Sequence, residues 1–446
     1  MAKPRYLALA DQIAAAIENG KLAPGTRLPT HRAFATQFGV ALATATRTYG
    51  ELERRGIVVG EAGRGTFVRD MEIPLTIGMQ QTAPDGQVDL VFNMPSATGD
   101  AEMLRAGLRR LALTGDIEAM LRYQPHGGRP HERRIMAGWL EGTLGAIDPD
   151  HLLVTSGGQH GLTVTLLGLL KHGDIVAADP LTYPGFKSLA ALQGIDLLAV
   201  DGAGGVMDPD RLDAACKTRP VRAVYLMPTV QNPLGTVMDL PTRLRIIEVA
   251  RKHDLLIIED AAYAFLECDP PPSLCALAPE RTVHIGGFSK SLATGLRLGY
   301  VIAAARHCPR LIEAIRATTW NAPALISALV TGWITDGTLA QSQDTRRQDG
   351  AARQQLLRAA FGTMLVLSHP NAGFAWVPLS AGGRAEPIVT RLKSQGLSLS
   401  GADAFATTAA VPQALRLAFG GMETNAAAKA FGIIHQSIQD AGTLGA

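Results

Sequence analysis

The stretch Phe288-Ser289-Lys290-Ser291-Leu292-Ala293-Thr294-Gly295-Leu296-Arg297-Leu298-Gly299-Tyr300 is the most informative in this 446-residue chain. It follows a short apolar run, 283–285, that has the length and composition of a buried strand. A lysine at the end of such a strand is costly as a free cation, so it is either paired or chemically used. A lone strand-end lysine more often lays its stem along apolar surface and keeps its ammonium in water. Here Ser289 and Arg297 flank Lys290, and both can bind a phosphate. The three together suit a lysine that bonds a carbonyl compound covalently, with a phosphate grip beside it.

Four further segments supply what a pyridoxal phosphate site needs. Ile257-Ile258-Glu259-Asp260-Ala261-Ala262-Tyr263 puts a carboxylate at the carboxyl end of an apolar run. Asp260 there can keep a pyridine nitrogen protonated, which makes the ring an electron sink, and Tyr263 can reach the ring's 3-oxygen. Gln231-Asn232-Pro233-Leu234-Gly235 offers Asn232 to the same oxygen on a Pro-Leu-Gly turn. Ser156-Gly157-Gly158-Gln159-His160-Gly161 follows a predicted strand and opens a helix, whose amide N–H groups suit a phosphate. Asp179-Pro180-Leu181-Thr182-Tyr183-Pro184-Gly185 presents Tyr183 as a face to stack on the ring. Each signal alone is common; their joint occurrence in this order is not.

Around these segments, short apolar runs at 152–155, 175–177, 196–200, 223–226, 255–259, 283–285 and 299–303 alternate with helical stretches. That alternation predicts βαβ units and an α/β fold with a mostly parallel sheet. From about residue 330 helices predominate, with strands expected near 364–367, 373–377 and 414–419, so a small C-terminal α+β subdomain is expected. Residues 91–446 resemble the fold-type-I pyridoxal-phosphate aminotransferases of class I/II. The resemblance implies Lys290 as the Schiff-base and catalytic lysine and Asp260 as the pyridine partner. It implies Tyr263 and Asn232 at the 3-oxygen, Tyr183 stacked on the ring, and Gly158, Gln159, Ser289 and Arg297 on the phosphate. Arg416, in Leu415-Arg416-Leu417-Ala418-Phe419, matches the arginine that clamps a substrate carboxylate, here an effector carboxylate. Tyr123, before Gln124-Pro125-His126-Gly127-Gly128, is implied to reach a neighbouring subunit's phosphate site.

Residues 1–70 read differently. Apolar residues recur at helical spacing from Tyr6 to Ile17, Pro29-Thr30 opens a second helix with Thr30 as N-cap, and 41–55 forms a third. Two strands around 60–65 follow, so a helix-turn-helix with a wing is predicted. The segments Gly25-Thr26-Arg27-Leu28-Pro29-Thr30-His31-Arg32-Ala33-Phe34-Ala35, Phe38-Gly39-Val40 and Gly63-Arg64-Gly65-Thr66-Phe67-Val68 resemble the winged helix-turn-helix of the GntR regulators. By that resemblance Arg27 and Arg32 touch DNA, Thr44 and Arg47 sit on the recognition helix, and Arg64 with Gly65 enter the minor groove. The recognition helix departs from the pattern by opening Ala41-Leu42-Ala43, which can touch a thymine methyl but makes no bidentate base contact. Residues 71–90, rich in Pro, Gly and Thr, read as a linker. A GntR-like head on an aminotransferase-like body resembles the MocR-type subfamily. That implies a homodimeric transcription regulator on double-stranded DNA, with pyridoxal phosphate and an amino compound as effector.

Composition agrees with such a chain. At 47.1 kDa it has room for two to four domains, and 47% apolar with 18% charged residues excludes global disorder. No apolar run approaches the length of a membrane span, and 6–10 is too short for the apolar core of a signal peptide. Cys216, Cys268, Cys275 and Cys308 lack metal-site spacing and read as reduced thiols of a cytoplasmic protein, with no metal expected. Residues 1–70 hold ten Lys and Arg against six Asp and Glu, a net +4, which leaves −2 for the rest of a chain of net charge +2. A basic head on a mildly acidic body favours a regulator. The rival reading is a working aminotransferase carrying a DNA-binding head; a bare scaffold leaves the site residues without a purpose.

Overall fold

The computed structural model describes residues 4–19, 21–23, 25–61, 65–68, 88–95, 99–380 and 383–443. The chain opens with α1 (Arg5–Glu18), α2 (His31–Phe38) and α3 (Leu42–Arg54), then an antiparallel hairpin of β1 (Val58–Glu61) and β2 (Gly65–Val68). Leu9, Ala10, Ile13 and Ile17 on α1 close over Phe34, Tyr49 and Leu52 from α2 and α3. The Thr30 hydroxyl accepts from the Ala33 amide at the start of α2, and Gly39 ends that helix at φ 61°. The Tyr49 hydroxyl donates to the Pro29 carbonyl at 2.5 Å, fixing α3 to the turn before α2.

Next come β3 (Val88–Asp89), α4 (Asp100–Thr114), α5 (Ile117–Met120) and α6 (Pro130–Leu144). Strands and helices then alternate as β4 (Leu152–Thr155), α7 (Gly158–Leu169), β5 (Ile175–Ala178), α8 (Pro184–Leu192), β6 (Asp196–Ala199), α9 (Pro209–Thr218), β7 (Val221–Leu226), α10 (Leu240–Lys252), β8 (Leu256–Asp260), α11 (Leu274–Leu277), β9 (Thr282–Gly287) and β10 (Gly299–Ile302). Among the described residues these seven strands form one sheet in the order β4-β10-β9-β8-β7-β5-β6. The pairs among β5 to β9 are parallel, whereas β10 is antiparallel to both its neighbours. The connection 288–298 is too short for a helical crossover, so β10 has to turn back. That turn is the Lys290 stretch. β4, β5, β7 and β8 are almost wholly buried, as expected of strands covered on both faces.

The rest of the chain is α12 (Cys308–Thr318), α13 (Ala324–Thr335), α14 (Thr338–Phe361), β11 (Phe374–Pro378), α15 (Ala385–Ser394), β12 (Leu397–Ser398), β13 (Ser400–Gly401), β14 (Ala414–Ala418) and α16 (Thr424–Thr443). β11, β14 and β13 form a small antiparallel sheet over a core that includes Leu357, Ile388, Leu417 and Phe431. β12 pairs in parallel with β3, which ties the entry of the body to its C-terminal part. The strand expected at 364–367 is absent. Met364 closes a turn onto the Phe361 carbonyl, Leu365 is exposed, and Leu367 makes only a single bridge to Trp376. The expected linker falls outside the described residues except at 88–90, where β3 stands.

The head touches the small subdomain. The Val411 amide donates to the Gly60 carbonyl at 3.3 Å, and the Arg384 guanidinium lies 4.3 Å from the centroid of the Phe67 ring. Arg384 also donates to the Gly25 carbonyl at 3.4 Å.

Candidate functional site

The carboxyl ends of β4, β5, β7, β8 and β9 share one edge of the sheet, and the loops leaving them converge there. Lys290 leaves β9 with its Nζ donating to the Asn93 carbonyl at 2.7 Å, 5.8 Å from the centroid of the Tyr263 ring. Asn93 Nδ2 donates to the Tyr263 hydroxyl at 3.2 Å. From β14, Arg416 donates through Nη1 to the Val91 carbonyl at 2.8 Å and through Nη2 to Asn232 Oδ1 at 3.4 Å. Arg416 is 3% exposed, lies over the Phe374 and Phe405 rings, and its Nε is buried without a hydrogen-bond partner. Burial pulls its pKa below the usual guanidinium value, but it remains a cation. A buried guanidinium with an open N–H is built to receive an anion.

Asp260, at the end of β8, accepts from the Tyr225 hydroxyl at 2.8 Å and from the Ala262 amide at 3.0 Å. Burial raises its pKa, with those two donors pulling the other way. Its charged form therefore gains from a cationic neighbour. Phe186 stacks on Tyr225 with 3.6 Å between ring centroids, which fixes the tyrosine that holds the carboxylate. The next residue back, Glu259, takes the amides of Leu274 and Cys275 and pairs with His284 at 2.9 Å.

At the other end of the site, α7 starts at Gly158 straight after Gly157, whose φ is 91°. A Cβ on Gly157 would stand 2.8 Å from Arg297 Nη2, so a glycine is required for the guanidinium to lie against the helix start. Arg297 Nη1 donates to Ser289 Oγ at 3.0 Å, and Arg297 holds a φ of 50°, a left-handed conformation costing about 1 kcal/mol or more. Gln159 donates to the Gly185 carbonyl at 3.0 Å, and its Oε1 is buried without a partner. The Ser156 amide donates to His160 Nδ1 at 3.0 Å, so the proton sits on Nε2, which faces Thr318 Oγ1 at 2.8 Å. Burial lowers the pKa of His160. The Tyr183 ring packs against the core cluster that includes Tyr225 and Tyr263, and burial raises its pKa, as do the nearby Asp260 and Tyr263.

Lys290, Asp260, Tyr263, Asn232, Tyr183, Gly158, Gln159, Ser289, Arg297 and Arg416 thus meet at one place. Tyr123 does not join them within the chain: it is 87% exposed, with its ring 5.7 Å from that of Trp320. Sequence reading missed Tyr225, Asn93, Phe186 and His160. The one signal for Tyr225 was a hydroxyl inside an otherwise aliphatic buried run. Asn93 gave none, because its partners lie 170 and 197 residues away.

In the head, Arg32, Leu42, Ala43, Thr46 and Arg47 are exposed along α2 and α3, and Thr44 is half-buried. Thr46 Oγ1 lies 3.3 Å from His31 Nδ1. Gly65 holds a φ of 118°, and a Cβ on it would stand 3.0 Å from Arg27 Nε. Arg64 lies outside the described residues. Arg54 and Arg55 are engaged by Glu51, and Arg55 also by Asp11, so part of the head's charge is internal. Their hydrogen bonds lower Glu51 to about 2. Among the described residues no group of three or more His, Cys, Asp or Glu is placed to hold a metal, and no helix is long and apolar enough to cross a membrane.

Residues 87–433 match the sequence pattern of the class I and II aminotransferases. The chain belongs to this family. Residues 5–68 match the gntR family of bacterial regulatory proteins, so this aminotransferase-family chain has the MocR-type organisation. It is similar to the uncharacterized HTH-type transcriptional regulator YdeF of Bacillus subtilis, with 28% identity over 92% of this chain and 89% of that one. It is 24% identical to the probable rhizopine catabolism regulatory protein MocR of Rhizobium meliloti, over 89% and 86% of the two chains. A 2-aminoadipate transaminase of Thermus thermophilus is 27% identical over 71% of this chain and 81% of its own. Among solved structures, a Pyrococcus horikoshii kynurenine aminotransferase superposes with a TM-score of 0.75 at 21% identity, covering 84% of this chain and 95% of its own, which shows the fold.

Proposed function

We propose that this protein is a cytoplasmic, DNA-binding transcription regulator whose body binds pyridoxal phosphate and senses an amino compound that carries a carboxylate. The observation that carries this reading is the union in one chain of a gntR-type head with a body that gathers Lys290, Asp260, Tyr263, Asn232 and Arg416. The residues fit the cofactor. Gly158, Gln159, Ser289 and Arg297 would hold its phosphate, with the glycine cradle at Gly157 leaving the room. Asp260 would hold its ring nitrogen, Tyr263 and Asn232 its 3-oxygen, Tyr183 its face and Lys290 Nζ its aldehyde carbon. When bound, the group supplies an electron sink for bonds to the amine-bearing carbon. Tyr225 keeps Asp260 oriented, and Asn93 holds both the Lys290 ammonium and the Tyr263 hydroxyl. Arg416, with its open Nε, would take the effector's carboxylate, and the buried surround excludes water from that contact.

The test is the full chain reconstituted with pyridoxal phosphate. A long-wavelength absorbance band is expected, and Lys290→Ala should lose it while keeping the parent's circular dichroism. An unchanged band in that variant removes Lys290 from the role. The second reading, a working aminotransferase, is favoured by the completeness of the same residues. Sustained turnover with a panel of amino donors, without any change in operator affinity, would decide for it.

The homodimer belongs to the same proposal. Leu104, Leu108 and Leu113 on α4, with Ile117, Leu121 and Tyr123 after it, are exposed large apolar residues close in sequence. A second copy of this chain is the occupant that also gives Tyr123 a phosphate to reach.

A further inference from the structure

Segment 402–411 touches three things at once: the proposed effector arginine, the loop that carries Tyr183, and the DNA-binding head. Ala402, Ala404 and Phe405 are buried, and the Phe405 ring lies 5.7 Å from the Arg416 guanidinium. The Thr182 amide donates to the Phe405 carbonyl at 2.9 Å, and Leu181 and Ala406 form an antiparallel bridge. The Thr407 amide donates to the Pro180 carbonyl at 2.8 Å, while its hydroxyl reaches the carbonyls of Asp179 and Pro180 at 3.0 and 3.1 Å. Lys187, one turn into α8, donates to the carbonyls of Asp403 and Ala404 at 3.1 and 2.8 Å. The segment is thus fastened to both sides of the site.

Its far end rests on the wing. The Val411 amide donates to the Gly60 carbonyl at 3.3 Å. A Cβ on Gly60 would stand 3.0 Å from the Ala409 carbonyl oxygen and 3.1 Å from Glu53 Oε1, so β1 lies against this segment without a gap. Val411 and Arg416 are five residues apart, about 17 Å of extended chain, on a run that becomes β14. A displacement of Arg416 therefore has a short route to the head, along the covalent run 416–411 and then through the Val411–Gly60 hydrogen bond.

We propose that segment 402–411 couples occupancy of Arg416 to the wing strand β1, so that an effector's carboxylate changes how the head is held on the body. The inference rests on the effector reading above and adds the route by which occupancy reaches DNA. A carboxylate arriving at Arg416 competes with the face of Phe405 and with the Asn232 oxygen for the guanidinium. Phe405 is bonded through its carbonyl to the Tyr183 loop and leads within six residues to Val411, so a shift of this buried ring that reaches its backbone is passed to the loop and towards Val411.

The experiment is amide hydrogen exchange on the full-length, cofactor-free chain, with N-(5′-phosphopyridoxyl)-L-leucine as probe because it carries phosphate, ring and carboxylate together. Pyridoxal phosphate alone, which lacks the carboxylate, is the comparison. Exchange in 58–61 and in 402–411 should change together by at least about fivefold with the probe, and by less than about twofold with pyridoxal phosphate. Thr407→Val removes the hydroxyl's two bonds at constant shape, and Gly60→Val wedges the joint from the head side. Both should bind the probe within about twofold of the parent and lose the response at 58–61. A parent that binds the probe without any response at 58–61 overturns the coupling and leaves the cofactor reading standing. An undiminished response in both variants overturns it too. A parent that fails to bind the probe overturns the cofactor reading itself, and the coupling with it.

Discussion

Asp179 shows how one buried carboxyl can make the stability of the fold depend on pH. It follows β5 directly, is 4% exposed, and accepts from the Met207 amide at 3.1 Å. Burial pushes it up from 3.8 to about 7, against the pull of Met207 and the Gln231 side chain. A folded-state pKa above the unfolded one means that the fold prefers the neutral acid. The contribution is complete below pH 4 and disappears as pH rises towards 7, by up to about 4 kcal/mol. Asp179→Asn keeps an acceptor for Met207 and removes the titration. Urea midpoints at pH 5 and pH 8 should fall further for the parent than for the variant, and parallel shifts would remove Asp179 from this role. At the same scale, Lys290, Asp260 and Asn232 stand out in the sequence because each sits in a short local motif at or beyond the carboxyl end of a strand. Tyr225, Phe186 and Asn93 were not, because what gives them meaning is a contact made across the sheet or from the far side of the chain.

The elements divide in the same way. The alternating strands of the large sheet were legible because buried parallel strands are short, apolar and bounded by turns. The run at 364–367 has that composition as well, but it leaves α14 through a turn and finds only Trp376 to bridge to. The recognition helix was legible as a helix, and its opening at Ala41 leaves it without a side-chain cap. Leu42 and Ala43 are exposed at its start, so phosphate and groove contacts are expected to carry much of the DNA affinity. Arg32→Ala and Arg64→Ala should each flatten the dependence of log affinity on log salt by about one unit, read by fluorescence anisotropy across a salt series. Leu42→Ala should leave the slope alone. If both arginine variants bind like the parent at every salt concentration, this head does not meet DNA through α2 and the wing.

At the scale of the whole molecule the question is what the chain lacks by itself. The family resemblance assigns Tyr123 to a neighbouring subunit's phosphate site, and within one chain it is exposed, with its ring beside that of Trp320. A second copy would supply that site, and the exposed leucines on α4 and after α5 would give it an apolar surface to dock on. Analytical ultracentrifugation at micromolar concentration should find a dimer, and Leu113→Glu with Leu121→Glu should shift it towards monomer. Tyr123→Phe separates packing from phosphate contact, because it keeps the ring and deletes only the hydroxyl. A hydrogen bond to a charged group contributes about 1.5–3 kcal/mol. The Phe variant should therefore remain dimeric and bind pyridoxal phosphate at least about tenfold more weakly, with the loss seen in affinity and not in the absorbance maximum. The double-glutamate monomer should show the same weakening while retaining Tyr123, because its hydroxyl no longer has a neighbouring site to enter. Parent-like cofactor affinity in both would mean that each site is complete in its own chain and that the exposed face of α4 serves another contact.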